Sequence, residues 1–425
     1  MAHLPFRLLR ALLALTCAVY ALPAAAQDLQ TAIADALEHS PAMEEAAAQE
    51  RAAKSGVDRA RAEGNPLLSV EGSIGTGRID NDGFFGITAD DVTPLALKAT
   101  GELPLFAGGR VSAAIDQAKG GLEIARLQSE QTRLQTVVSA ASAYADVLAA
   151  RKLVARFRKL TDALSEIERQ AGLRFQTGEI ANTELAQARA RKAEGEAGLA
   201  QAEGRLVSAE ARYERLTGKQ AGELAPLPPL PQTPATLNEA MDLASQANPM
   251  LQQAEGAVRV AGAGVRAARA EGLPTIGAFA EAARVRDQFF PDYRADSVAV
   301  GIRGRWTLWA GGRVLAQTRQ ADAQLSATEA RARAARLALE GMVIDAWQGL
   351  QTANRMAEAT SLRAAAANEA LRGTQLEARV GAKPTLAVLD AEREAIEAEA
   401  SRIESEGMRL VAAYRLNALT GTSAP

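Results

Sequence analysis

Two stretches of this 425-residue chain, 110–177 and 313–380, contain no proline and keep a helical period throughout. Leu134, Val138, Ala141, Ala145 and Leu148 alternate spacings of four and three residues, and Leu153, Phe157, Leu160, Leu164, Ile167 and Ala171 resume that spacing after a phase shift. Farther along, Leu389, Ile396, Ile403 and Leu410 recur every seven residues. These are coiled-coil seams. At about 1.5 Å per residue, each proline-free stretch would run roughly 100 Å as a single helix. A helix of that length does not belong in a compact domain, so long packed helices must dominate the fold. Composition agrees, because aromatic residues make up only 4% of the chain while alanine is abundant. Ala-rich helices packed closely are the natural way to bury such a sequence.

The long stretches begin alike. LPLFAGGRVSAAIDQA at 103–118 returns as WTLWAGGRVLAQTRQ at 306–320. RAEGNP at 61–66 returns as RAEGLP at 269–274, and SPAM at 40–43 as NPML at 248–251. Gly178 corresponds to Gly381, and LTG at 216–218 to LTG at 419–421. A steady offset across several landmarks signals an internal duplication. The expected organisation is a leader at 1–26, a first repeat at 27–221, a Pro-rich linker at 222–234 and a second repeat at 235–425. Within the first repeat, residues 42–64 read as a helix ending at Gly64-Asn65-Pro66, followed by a β-hairpin at about 67–106 and helices at about 110–177 and 179–216. The second repeat has a hairpin at about 275–309 and helices at about 313–380 and 382–419.

The hairpins are identified by a change of period. Leu95, Leu97, Ala99, Gly101, Leu103 and Leu105 alternate with Ala96, Lys98, Thr100, Glu102 and Pro104. This is a strand with one apolar and one polar face. Its partner at 67–78 alternates more weakly, and IDNDGFFGITADD joins the two. In the second repeat Val298, Val300, Ile302, Trp306 and Leu308 fall on one face, with Arg303, Arg305 and Thr307 on the other. The partner at about 275–286 is the least regular, and DQFFPDYRAD connects them.

The leader limits the chemistry that remains. Arg7 and Arg10 precede the apolar run ALLALTCAVYAL and then PAAAQ. This is a secretory signal with cleavage after Ala26. The run is short for a membrane-spanning helix, which argues against an uncleaved anchor. Cys17 lies inside the apolar run after Thr16, a poor setting for lipidation. Cleavage removes the only cysteine and leaves His39 as the only histidine. Disulfides, thiolate metal sites and a cysteine nucleophile are excluded, and His39 reads as a solvated surface side chain. No metal, cofactor or catalytic site is expected, and an enzyme is the weakest reading. Processing leaves a net charge of −5 with the two signs interleaved, so nucleic acid is not an expected partner.

Four amphipathic strands cannot close a barrel, which needs about eight. Open sheet edges are not tolerated in lipid. A sheet with one apolar and one charged face suits a barrel with a wet lumen, so several copies of the chain must share it. Phe106, Trp306 and Trp309 at the strand ends suit an interfacial aromatic girdle. Gly108, Gly109, Gly311 and Gly312 would let the chain turn from strand into helix, and Lys98, Arg303 and Arg305 would line the lumen. A soluble sandwich edge is the alternative, but the adjoining helices are too long for it.

The duplication, the paired (L/W)-x-L-(F/W)-A-G-G-R segments, the glycine turns and LDAERE at 389–394 resemble the TolC family of outer-membrane channel proteins. The AGGR form and the spacing near the end look closest to members serving type I secretion. The resemblance implies a mainly α fold: a coiled-coil α-barrel continuous with a transmembrane β-barrel of twelve strands, four from each protomer of a homotrimer. It implies a place in the outer membrane of a Gram-negative bacterium, in contact with its lipid and extending into the periplasm. It also implies docking to a periplasmic adaptor and an inner-membrane ABC or proton-driven pump. Thr177, Gly178, Glu179, Val380, Gly381 and Ala382 would form the docking tips. Asp390, Glu184 and Lys383 match the family's periplasmic gate positions, whereas Ala387 stands where a second acid is often found. Multidrug or metal efflux on the same fold is the main alternative. A soluble periplasmic coiled-coil adaptor is the alternative of another class.

Overall fold

The computed structural model describes residues 26–79, 90–288 and 291–422. All of the proposed leader but Ala26, including Cys17, and the centres of both hairpin loops lie outside these residues. The described chain contains eight helices and six strands: α1 Leu29–His39, α2 Pro41–Ala62, β1 Leu67–Ile74, β2 Gly77–Ile79, β3 Asp90–Val92, β4 Leu95–Phe106, α3 Arg110–Gln176, α4 Asn182–Thr217, α5 Leu237–Ala247, α6 Pro249–Ala270, β5 Thr275–Arg286, β6 Arg294–Arg305, α7 Arg313–Arg379 and α8 Thr385–Thr420. The helices measure 11, 22, 67 and 36 residues in the first half, and again 11, 22, 67 and 36 in the second.

Two compact units form, one from Ala42–Thr132 with Met241–Met342, the other from Met1–Pro41, Arg133–Ala240 and Val343–Pro425. Each unit draws on both halves of the sequence. The long helices α3 and α7 each contribute to both.

The first unit carries a four-stranded antiparallel sheet in the order β1-β4-β5-β6. A short β2–β3 pair extends the first hairpin. Pro104 has no N–H to donate, and the β4–β5 register shifts between Pro104 and Phe106. Close helix contacts accompany the sheet. A Cβ on Gly120 would lie 2.5 Å from the Val260 side chain, which ties the start of α3 to α6.

The second unit has a helical core in which Leu29, Ile33, Val137, Ala140, Tyr144, Val147, Tyr213 and Leu410 cluster. Seam residues Leu389, Ile403 and Leu410 are buried and Ile396 is half-buried. Glycines set the α3–α4 spacing, since a Cβ at Gly195 or Gly198 would meet Leu164 or Phe157 at under 3 Å. The 222–234 segment has neither helix nor strand but is pinned: Arg151 donates to the Gly222 carbonyl, Asn417 to that of Gln232, and Gln27 forms a parallel bridge with Leu224. Tyr144 is fully buried, with its hydroxyl 2.9 Å from the Gln27 carbonyl, and burial pushes its pKa up to about 12.

The structure departs from the sequence-based expectation at three places. The sequence reading gives no bounds for helices α1 and α5. Asp28 caps α1 by accepting from the Thr31 amide, and Ser40-Pro41 separates it from α2. The equivalent break at Asn248-Pro249 starts α6 with an Asn cap and Pro at its first position. Helices α4 and α8 begin at Asn182 and Thr385, about three residues past the expected starts, because extended backbone follows each glycine turn. Strand β6 ends at Arg305 and does not reach Leu308, as the Trp306 indole donates to the Gly272 carbonyl and leads into the turn.

Candidate functional site

The register sorts the sheet into two chemically distinct faces. Ile74, Leu95, Arg286 and Arg294 lie in one row, Val70, Ala99, Ala282 and Val298 in another, and Leu103, Ala278 and Ile302 in a third. This face is apolar except at its loop end and stands open to solvent, with Leu68, Val70 and Val298 each more than 60% exposed. The opposite face carries Glu71, Lys98, Glu102, Glu281, Arg303 and Arg305. Its charges are largely paired: Lys98 lies 3.2 Å from Glu281 and Arg303 3.6 Å from Glu102. Arg303 also stacks 4.5 Å above the centre of the Phe279 ring. Arg305 has no ion pair among the described residues. The three basic residues assigned to a lumen therefore share one face, together with three acids that the sequence reading did not single out.

The strand-to-helix glycines adopt left-handed backbone, with φ of +60° and +86° at Gly108 and Gly109 and +60° and +82° at Gly311 and Gly312. A side chain there would be strained. At Gly108 it would also strike Leu273.

The two helix turns share one backbone motif. Gly178 and Gly381 have φ of +77° and +78°. In the first turn the Glu179 amide donates to the Arg174 carbonyl and the Gly178 amide to that of Phe175; in the second, Ala382 donates to Glu377 and Gly381 to Ala378. This is the Schellman arrangement, which satisfies the last carbonyls of a helix. Side chains differ between the turns. Thr177 donates to the Glu179 carboxylate, which also faces Arg174 at 3.4 Å. Val380 is 80% exposed, and Lys383 pairs with Glu377 at 2.7 Å.

The three proposed gate residues form no hydrogen bond or ion pair with one another among the described residues. Glu184 sits in the exposed first turn of α4, where a carboxylate complements the helix dipole, and it has no ion pair among the described residues. Lys383 stays at the turn with Glu377. Asp390 is held 3.1 Å from Arg191 of α4, which also pairs with Glu194. Sequence reasoning missed Arg191, although it follows Glu184 by seven residues and so repeats its heptad position. It also missed Glu392. One carboxylate oxygen of Glu392 is buried without a partner, the Gln375 amide approaches the other at 3.4 Å, and burial raises the pKa. His39 is exposed, with its ring against Gly218. No group of three or more metal-ligating side chains occurs among the described residues. No described helix is long and apolar enough to cross a membrane.

The family model for outer membrane efflux proteins matches residues 32–219 and 240–422. The chain is 27% identical over 287 residues to outer membrane efflux protein BepC of Brucella suis, a match covering 67% of this chain and 63% of that protein. It is 30% identical over 220 residues to alkaline protease secretion protein AprF of Pseudomonas aeruginosa, covering 49% of this chain and 46% of that one. The matched part thus spans less than two thirds of either relative. Among solved structures, the backbone follows the CmeC outer membrane channel of Campylobacter jejuni with a TM-score of 0.81 at 13% identity, covering 93% of this chain and 85% of that one. It follows the outer membrane protein VceC of Vibrio cholerae with a TM-score of 0.77 at 19% identity, covering 92% and 96%. At such identities the structural likeness speaks for the fold.

Proposed function

Because this chain belongs to the outer membrane efflux protein family, and so to the outer-membrane channels and not to the enzymes, we propose that it is the exit duct of a tripartite export assembly. The observation that carries this reading is the sheet: one exposed apolar face, one charged face, and strands that pass through glycine turns into α3 and α7. Twelve-residue strands at about 3.3 Å per residue, tilted about 40°, reach roughly the thickness of a bilayer's hydrocarbon core. Strands β1 and β6 are the edges of this four-stranded sheet. A lipid-embedded sheet has no free edge, so β6 of one copy pairs with β1 of the next. Three copies close a twelve-stranded barrel. Lys98, Arg303 and Arg305 face its lumen, and the apolar rows face lipid. The matching helix lengths reflect a duplicated ancestor.

The turns at Gly178 and Gly381 meet a periplasmic adaptor, which links the channel to an inner-membrane pump. Near these tips Asp390 and Arg191 latch α8 to α4 and narrow the entrance, with Glu184 and Lys383 contributing charge. Protein secretion is the favoured cargo class, supported by the likeness to AprF, a protease secretion protein. Small-molecule efflux is the second reading, supported by the longer match to BepC, an efflux protein.

Photoreactive residues at Glu179 and Ala382, activated in cells, test the assignment. Capture of an adaptor that serves an ATP-driven exporter is the expected result. Capture of a proton-driven pump's adaptor would move the function to efflux. Tips that capture nothing would overturn the export assignment.

A further inference from the structure

At the loop end of the apolar face two arginines stand directly opposite each other, Arg286 on β5 and Arg294 on β6. Their row continues through Leu95 and Ile74, so both side chains belong to the apolar face and not to the charged one. One row inward, Arg284 is neutralised by Asp296 through contacts of 2.7 and 3.0 Å. Arg286 and Arg294 are both exposed, and among the described residues neither has an ion pair. Asp287 and Asp292 lie beyond the strand ends, in the turn. Like charges directly opposite on a sheet destabilise it unless an anion lies between them. Two guanidinium forks side by side fit the oxygens of a phosphate monoester, which Arg binds in bidentate fashion.

Given the barrel proposed above, on which this inference rests, the partner can be specified. The strands lead into the helices at one end, so their loop end faces outward. The arginine pair then sits on the lipid-facing surface, just above the apolar band, at the depth of outer-leaflet headgroups. We propose that Arg286 and Arg294 form a binding site for the phosphate of a phosphorylated glycolipid in the outer leaflet, the lipid A class. Each copy of the chain supplies one complete site from a single hairpin. The neighbouring ion pair Arg284–Asp296 leaves no net charge to compete, and Leu95 and Ile74 in the same row offer apolar surface to the acyl chains. Basic pockets at the membrane boundary recognise lipid headgroups by this chemistry.

The test uses the full chain reconstituted in vesicles containing diphosphoryl lipid A, dephosphorylated lipid A or neither. Assembly and single-channel conductance are recorded first. Lipid retained by each assembled channel is then counted by native mass spectrometry as detergent is raised. The unmodified channel is expected to retain diphosphoryl lipid A at least about tenfold better than the dephosphorylated form. R286Q/R294Q is expected to lose that preference while conducting normally, and R284Q to change it less than about twofold. Millimolar inorganic phosphate is expected not to compete. An R286Q/R294Q channel that assembles, conducts and still retains the lipid would overturn the site alone. Competition by inorganic phosphate would overturn the lipid as its ligand. Failure of the unmodified chain to assemble and conduct would overturn the barrel reading, and this site with it.

Discussion

The turns after α3 and α7 share a backbone and differ in their chemistry. Both end a 67-residue helix with a left-handed glycine and the same pair of backbone hydrogen bonds. Around Gly178 the polar groups satisfy one another, with Thr177 and Arg174 both engaging Glu179. Around Gly381 the flanking residues are Val380 and Ala382, and Val380 projects into solvent. Beyond the turns, Glu184 occupies the first turn of α4 whereas Ala387 holds the corresponding place in α8. Glycine therefore sets the shape of each tip, and its neighbours are free to set the affinity. An exposed apolar apex gains by being covered. A self-satisfied polar apex gains little, since its hydrogen bonds are already made. On the proposed docking role, the second turn is therefore expected to hold a partner more tightly than the first.

Gly178→Val and Gly381→Val should have the largest effects. A β-branched residue held in left-handed backbone costs about 1–2 kcal/mol. If backbone alone matters, hydrogen exchange will show equal loss of protection at both turns. Unequal loss would mean that the polar contacts around Gly178 carry part of the geometry.

Val380→Asp should come next, lowering adaptor capture at the second tip by about tenfold, because it removes an apolar anchor. Thr177→Val should change capture at the first tip much less. Equal losses in the same crosslinking assay would erase the distinction between the turns.

Arg191→Ala should have a smaller effect. The pair with Asp390 is partly exposed and worth about 0.5–1 kcal/mol at most. Conductance in planar bilayers should rise up to about fivefold, and Asp390→Asn should match it. The double variant should add nothing further, since both changes remove one latch.

The smallest effect should come from Glu392. Burial holds its carboxyl above the usual range, so the folded state binds the proton more tightly than the unfolded one. The stabilisation is fully present below the carboxyl's unfolded pKa and is lost as pH rises through the folded value. Mild acid should therefore slow exchange along α8 near Leu389. Glu392→Gln should remove that dependence on pH, while α4 should respond equally in both proteins.

The long helices and their glycine turns were legible in the sequence because both are local. A seven-residue period and an absence of proline need no knowledge of neighbours, and a left-handed turn calls for glycine. The two sheet faces were legible for the same reason, since alternation fixes them. The extents of the 11-residue helices α1 and α5 were not, because three turns give too few periods to register. The end of β6 was misplaced because apolar alternation runs on through Trp306 and Leu308 after the ladder has stopped. The partner of Asp390 could not be read at all. Arg191 is 199 residues away, and their meeting depends on which helices pack side by side. The Arg286–Arg294 pair likewise depends on register across a hairpin.

In the proposed channel, one chain supplies a third of the barrel's strands, too few to close, and β6 of one copy completes the sheet against β1 of another. A Cys17→Ser background with cysteines at edge positions, Ser69 or Ser73 on β1 against Ser297 or Ala299 on β6, tests it directly. Within one chain these edges lie three strand spacings apart, roughly 14 Å, which is beyond disulfide reach. Oxidation of the membrane-embedded protein should give a ladder that ends at three chains for at least one pair. A ladder that never leaves the monomer, or that runs past three, would contradict the shared barrel.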